Sequence, residues 1–297
     1  MTVILTAMNR FINEADGSQT AFLDGNQPDR VCEPIVQHVR AGGGDILTER
    51  PLDRIEVNDD GWIAKLVLRG GEEVIADEYI SALPVDVLKR VIPEEWSTMP
   101  YFRQFDQLEG IPVMNLQLWF DQQFQSSLDG LAFSRSPLLS VYADMSIACD
   151  EYASDTTMLE LVFAPCTPET GADRNWLAAS DAEVVDATLE ELRQLFPQDM
   201  RGATLRKSSV VRTPRSVYAA VPGRNKYRPS QKTPIPNLTL CGCFTTQKFL
   251  GSMEGAVLAG KLAAEVVAAR AVGKPTQDLK EVQPDIIRAA ATAAPKK

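Results

Sequence analysis

The 297 residues are 44% apolar, enough to bury a sizeable core in one or two domains. A net charge of −10 and a pI near 4.8 exclude a general nucleic-acid binder, because phosphate neutralisation needs a basic face. Five scattered cysteines, an odd number, fit reduced buried thiols better than a disulfide framework, and one histidine leaves no room for Ser-His-Asp, multi-His or HExxH chemistry.

Taken in chain order, VILTAMNRFINE places Ile4, Met8, Phe11 and Ile12 at helical spacing without a cap suited to opening a domain, so the chain reads as beginning in mid-fold. FLDGNQPDR predicts an Asp24-Gly25 turn, an N-cap at Asn26 or Gln27, and Pro28 and Asp29 in the first turn of a helix running to about Arg40, with a kink at Pro34. Its apolar stripe is Val31, Ile35 and Val39, which sets His38 on the flank as a surface or structural residue. The glycines at 42, 43 and 44 follow a helix and precede a strand, the reverse of a dinucleotide loop, and read as a helix stop.

From Ile46 to Leu83 three or four short strands, with turns at Asp60-Gly61 and Gly70-Gly71, resemble a β-meander. IPVMNLQLWFDQQF alternates, putting Met114, Leu116, Leu118 and Phe120 on one face and Asn115, Gln117 and Trp119 on the other. SPLLSVYADMS and TMLELVFAP predict two neighbouring strands of an antiparallel sheet. SDAEVVDATLEELRQLFP predicts a structural helix with a Ser180/Glu183 capping box, a stripe of Val185, Leu189, Leu192 and Phe196, and a stop at Pro197.

Between Arg201 and Lys232 lie nine Lys or Arg and no acid, leaving a net of −19 for the rest. That run is either a solvated loop or a contact for an anion or membrane surface. PNLTLCGCF then predicts a buried strand carrying Cys241 and Cys243 on one face, a poor geometry for a disulfide. GSMEGAVLAGKLAAEVVAA predicts a helix capped by Ser252. A strand feeding a helix start gathers free backbone N–H groups. Spacing alone leaves two readings of Gly255, Ala256, Ala259 and Gly260 open: tight helix-on-sheet packing, or close approach of a flat ligand. After Lys274 the sequence predicts a frayed polar tail. No signal or transit segment is expected, and no apolar run is long enough to span a bilayer.

The blocks AFLDGNQPDRVCEPIV, PVDVLKRVIPEEW, FSRSPLLSVYADMS, MLELVFAP, RTPRSVYAAVP and GSMEGAVLAGKLAAE, in this order, resemble the plant and cyanobacterial-type phytoene desaturases. These are FAD-dependent carotenoid desaturases of the flavin amine oxidase superfamily. The resemblance runs from Ile4 to about Val272, roughly the C-terminal three fifths of such an enzyme. It implies an α/β fold, in detail an α+β mixture. An incomplete FAD domain of amine-oxidase type (27–90 and 235–272) would accompany a substrate part with a mixed or antiparallel sheet under helices (1–26 and 91–234), followed by a flexible tail (273–297).

By the same resemblance Gly242, Cys243 and Met253 contact FAD, and the loop beginning Pro51-Leu52 lies near the adenine through backbone groups. Arg10 approaches the flavin and redox cavity, and Tyr218 and Leu250 line it. The implied partners are phytoene, a quinone electron acceptor and a membrane surface met monotopically, in a plastid or thylakoid-type membrane, with a homo-oligomer left open. Two departures stand out. The family's Asp after the strand glycine is Cys243 here, and no strand–GxGxxG–helix is present. An inactive truncated remnant, or a fragment binding an apolar ligand or a partner, is therefore the second reading, and a ζ-carotene desaturase the third.

Overall fold

The computed structural model describes residues 8, 21–127, 129–215, 217–249 and 251–273. The expected sites Arg10 and Leu250, the spacing of Ile4, Phe11 and Ile12, and the expected tail from 274 onward lie outside these residues.

Helix α1 (Glu33–Ala41) is entered through a π-helical turn over Pro28–Cys32. Strands β1 (Leu52–Val57), β2 (Ile63–Leu68), β3 (Glu73–Val74) and β4 (Tyr79–Ser81) come after it, then the short helices α2 (Val85–Val91), α3 (Glu94–Ser97) and α4 (Pro100–Arg103). Next come β5 (Val113–Phe120), β6 (Ala132–Phe133), β7 (Leu139–Asp144), α5 (Met145–Ala148) and β8 (Met158–Phe163). Helix α6 (Asp181–Leu195), β9 (Leu205–Thr213), β10 (Leu238–Leu240) and α7 (Met253–Ala271) complete the order. No helix among the described residues is long and apolar enough to cross a membrane. The chain divides into two compact units, one drawn from Gln19–Thr48 and Pro112–Pro214, the other from Glu49–Ile111 and from Arg215 onward.

The first, the antiparallel unit, is built on a five-stranded sheet of order β6-β7-β8-β5-β9. The alternation of β5 sets its register: Met114 faces Phe163, Leu116 faces Leu161 and Leu118 faces Leu159 on β8, and all six are buried. Helix α6 joins the same core through Val184, Val185 and Leu192. Each buried aliphatic side chain contributes about 1.5–3 kcal/mol. The capping box forms as expected: Ser180 Oγ accepts from Glu183 N–H at 3.3 Å, and Glu183 accepts from Ser180 N–H at 2.9 Å. The stripe differs, for Leu189 is only half-buried while Thr188 and the carboxylate of Glu191 face inward. Glu191 accepts from the backbone N–H of Leu138 at 3.0 Å, from that of Leu139 at 3.2 Å and from the Ser136 hydroxyl, which explains a charge on the buried face.

In the same unit Asn26 is the N-cap expected before Pro28, its Oδ1 accepting from Asp29 N–H at 2.9 Å. The irregularity of this helix is the π turn over Pro28–Cys32, which runs directly into α1 with Pro34 as its second residue. Ile35 is 56% exposed, so the inward side of α1 is Val36 and Val39, while His38 is exposed. The helix stops at Ala41 with Gly43 at φ +84°.

The second, the cavity unit, contains the meander, but only β1-β2-β3 belong to it. Gly61, Gly70 and Gly71 turn with φ of +80°, +109° and +89°. Strand β4 leaves the meander and pairs in parallel with β10, Tyr79 opposite Leu238 and Ser81 opposite Leu240. Helices α2 to α4 bury Leu88, Trp96 and Phe102, and an aromatic chain extends from them: Trp96–Phe102 at 5.3 Å, Phe102–Phe105 at 5.5 Å and Phe105–Phe244 at 6.0 Å. That chain anchors the segment just past β10. At the other end of α7, Arg270 ties the helix to β10 through Leu238 O at 3.1 Å and Thr239 Oγ1 at 2.9 Å.

Candidate functional site

All of the site's described residues lie in the cavity unit. Strand β10 ends at Leu240, so Cys241 and Cys243 lie beyond it and not on it. Cys241 N–H still donates to Ser81 O at 2.8 Å, and burial pushes its thiol up. The chain then turns at Gly242, whose φ of +122° a side chain would strain, and where an added Cβ would lie 3.4 Å from the Phe244 ring.

Past this turn, buried polar groups hold a loop from within. Arg228 is 3% exposed. Its Nη2 donates to Cys243 O at 3.1 Å and to Thr245 O at 2.5 Å, its Nη1 donates to Asn225 Oδ1 at 3.2 Å, and Nε is buried without a partner. Burial lowers its guanidinium from the ordinary value, and no ion pair among the described residues includes it. Gln231 Nε2 donates to Thr245 Oγ1 at 3.2 Å and to Thr246 O at 2.8 Å, and Thr245 Oγ1 donates to Gly242 O at 2.8 Å. Gln247 is 2% exposed, and neither its Oε1 nor its Nε2 has a partner.

Of the expected contacts, Gly242, Cys243 and Tyr218 come together here. Cys243 is half-buried, its Sγ accepting from Tyr218 N–H at 3.4 Å, so the thiol occupies a backbone donor but cannot accept as a carboxylate would. The Tyr218 ring lies 5.6 Å from the Arg228 guanidinium carbon; burial pushes its hydroxyl up, partly offset by Arg228 and Arg224. Met253, the first residue of α7, is 60% exposed, next to the Ser252 cap that accepts from Gly255 N–H at 3.0 Å. The small-residue stripe divides: Gly255 and Ala259 are buried, Ala256 and Gly260 exposed. Leu52 opens strand β1, where a loop was expected, and lines an apolar cavity of about 470 Å³ with Ile55, Ile63, Leu66, Tyr79 and Leu238.

Sequence reasoning did not find Gln231 or Gln247, and it placed Arg228 in a basic run at the surface, either a solvated loop or a contact for an anion or membrane. The structure corrects this last point. Arg228 is buried because three oxygens converge on it, a tertiary arrangement with no local signature. Much of the rest of the basic run is neutralised: Arg206 pairs with Asp121 at 3.0 Å, Arg212 with Asp181 at 2.5 Å and Arg224 with Glu109 at 3.3 Å. Arg201, Lys207, Lys226 and Lys232 remain exposed.

The loop suits the ring end of a flavin. It offers a buried cation without a carboxylate, an amide without partners and a side-chain-free backbone at Gly242, all matched to an electron-rich polar edge. It offers no glycine-rich pyrophosphate cradle.

Residues 5–268 match the family model described as flavin containing amine oxidoreductase. The chain is 51% identical over 278 residues to a 15-cis-phytoene desaturase of Synechococcus elongatus, covering 91% of this chain and 57% of that protein. It is 50% identical over 272 residues to the chloroplastic/chromoplastic 15-cis-phytoene desaturase of an Oncidium hybrid cultivar, covering 90% and 46%. A Synechococcus elongatus protein named for zeta-carotene desaturation is 28% identical over 287 residues, covering 89% and 58%. The chain thus spans about half the length of the curated relatives it matches. Among solved structures, putrescine oxidase bound to putrescine superposes with a TM-score of 0.59 at 15% identity, covering 80% of this chain and 53% of that one, a likeness of fold. With a loop suited to a flavin and a family model covering most of its length, the chain belongs to the flavin-containing amine oxidoreductase family.

Proposed function

We propose that this chain is the C-terminal part of an FAD-dependent phytoene desaturase, with FAD held by the segments 27–90 and 235–272 and the hydrocarbon by 1–26 and 91–234. The observation that carries the reading is the loop from Gly242 to Gln247: it turns at a residue without a side chain, a buried guanidinium without a carboxylate holds its carbonyls, and it ends at a buried amide without partners. The 51% identity to a named phytoene desaturase, against 28% to a protein named for zeta-carotene desaturation, supports phytoene as the substrate.

FAD, where bound, would supply a two-electron acceptor for a hydride from the allylic carbon, with loss of a proton from the adjacent carbon to give the C=C bond and a quinone as the terminal acceptor. The chain's residues bind and shield. Gly242 and Cys243 would contact the FAD, Met253 at the start of α7 would face its ring, and backbone groups at Leu52 would lie near the adenine. Tyr218 and Leu250 line the hydrocarbon path, and Arg10 borders the redox cavity. A reaction driven by orientation in a dry site needs no histidine base, consistent with His38 standing exposed on α1.

Contact with a membrane surface, in a plastid or thylakoid-type membrane, belongs to the same proposal, since both phytoene and quinone reside in lipid. The exposed lysines Lys226 and Lys232 are the residues to test, because Arg224 is paired and Arg228 buried. Their replacement by Ala is expected to weaken binding to anionic vesicles by about 1 kcal/mol per charge. Unchanged binding would remove the basic run from the proposal.

The deciding experiment titrates the purified chain with FAD by flavin fluorescence, then assays desaturation of phytoene with a quinone acceptor. Saturable binding and a desaturated product establish the reading. No binding favours the truncated remnant.

A further inference from the structure

We propose that Arg228 supplies the fixed positive charge that holds negative charge on a flavin ring seated against the Gly242–Cys243 loop; the inference rests on the flavin reading of that loop. An arginine keeps its proton under all ordinary conditions, so burial leaves a full charge to be balanced. Around Arg228 the described neighbours are neutral. Cys243 and Thr245 present carbonyl oxygens, Asn225 an amide oxygen and Tyr218 the face of its ring. Cys243 meets the guanidinium through its carbonyl, while its sulfur takes the Tyr218 N–H.

Carbonyls satisfy donors without cancelling charge, and a buried cation without a counter-charge is costly. Here Nε is still unpartnered. The basic residues nearby show the contrast, since Arg224 and Arg215 both have Glu109 within 4.0 Å. Two neighbouring arginines of the same run thus have a carboxylate beside them, while the buried one, among the described residues, has none. A group that becomes negative during turnover completes that balance, and two-electron reduction leaves such a charge on a flavin. Arg228 is thus a positioning and electrostatic residue as well as a clamp on the loop, and the two roles separate experimentally.

The experiment compares the FAD-loaded chain with R228K, R228M and N225D. The readouts are FAD affinity, midpoint potential, affinity for sulfite, which adds to the ring and leaves it negatively charged, and thermal unfolding without FAD. Removing the charge in R228M is expected to weaken sulfite binding by about tenfold or more and to move the potential negative, while R228K stays within about threefold of the parent. N225D sets a carboxylate where an amide oxygen now lies 3.2 Å from Nη1, so it neutralises the cation without disturbing the clamp. Its sulfite affinity is expected to fall by about threefold with unfolding unchanged, which keeps the test open even if R228M does not fold.

Parental sulfite affinity and potential in N225D, or equal losses in R228K and R228M, overturn the proposal and leave Arg228 a loop clamp. A parent chain that binds no FAD overturns the flavin reading and this inference together. A parent that binds FAD while N225D and R228M match it overturns this inference alone.

Discussion

The antiparallel unit and the loop after β10 treat buried polar groups in opposite ways. In the former, Glu191 accepts from two backbone N–H groups and a hydroxyl. Asp144 takes Ser146 N–H at 3.1 Å and Thr157 Oγ1 at 3.1 Å, and Asp199 takes Gln125 N–H at 2.8 Å. Burial would raise the Asp199 carboxyl, yet the hydrogen bonds from Ser126 and Gln125 hold it below its ordinary value. Around the latter, Arg228 and Gln231, which bond to it, and Gln247 within it all keep buried atoms without partners; Ser127 Oγ is the exception in the antiparallel unit. A fold that satisfies its polar groups in one place and leaves them unpartnered in another has separated scaffold from site.

If the antiparallel unit is scaffold, Leu118→Ala at a fully buried position of β5 is expected to cost about 4 kcal/mol in urea unfolding, and a loss below about 1 kcal/mol would mean that the sheet is not the stabilising core. Glu191→Leu strands two backbone donors and a hydroxyl, with an expected loss of about 3 kcal/mol measured the same way. Ser180→Ala removes one side of the capping box and should lower stability by about 1 kcal/mol.

Gln247→Leu tests the other region, because it removes an amide that has no partner. Stability without FAD should hold or rise by about 1 kcal/mol while FAD affinity falls, and a clear destabilisation without FAD would show a structural partner instead. The smallest effect concerns pH. The Ser180 backbone N–H, then Arg174 and the Ser180 hydroxyl, hold the Glu183 carboxyl down at about 2 against an ordinary 4.5. Its contribution is full above pH 4.5 and is lost as pH falls through about 2, so thermal melts of the parent and Glu183→Gln should converge across that window.

Local chemistry made much of this legible. The period-two pattern of β5, the Ser180/Glu183 box, Asn26 before Pro28, Ser252 before α7 and the glycines at 61, 70 and 71 each act within a few residues, and each appears as expected. What escaped is decided at long range. Strand β4 leaves the meander for a partner near residue 239. Ile35 has the spacing of a core residue but no neighbour to bury it, and Arg228 sits in a basic run that reads as solvent-facing until three oxygens close on it. At the site, Gly242 announced itself through its place after a strand, whereas Gln231 and Gln247 carry no positional signal. The functional division into 27–90 with 235–272 rests on resemblance, and titration with FAD bears on it.

One consequence of the Arg228 fork concerns time. A single guanidinium grips the carbonyls of Cys243 and Thr245, while the Arg228 carbonyl accepts from Thr246 Oγ1 at 2.9 Å. The segment therefore cannot loosen one residue at a time, because releasing Cys243 also releases Thr245 and unseats Thr246. Amide hydrogens at Thr245 and Thr246, bonded to Gly242 O and Pro229 O, should exchange with solvent at one shared rate, as a latch opens in a single movement.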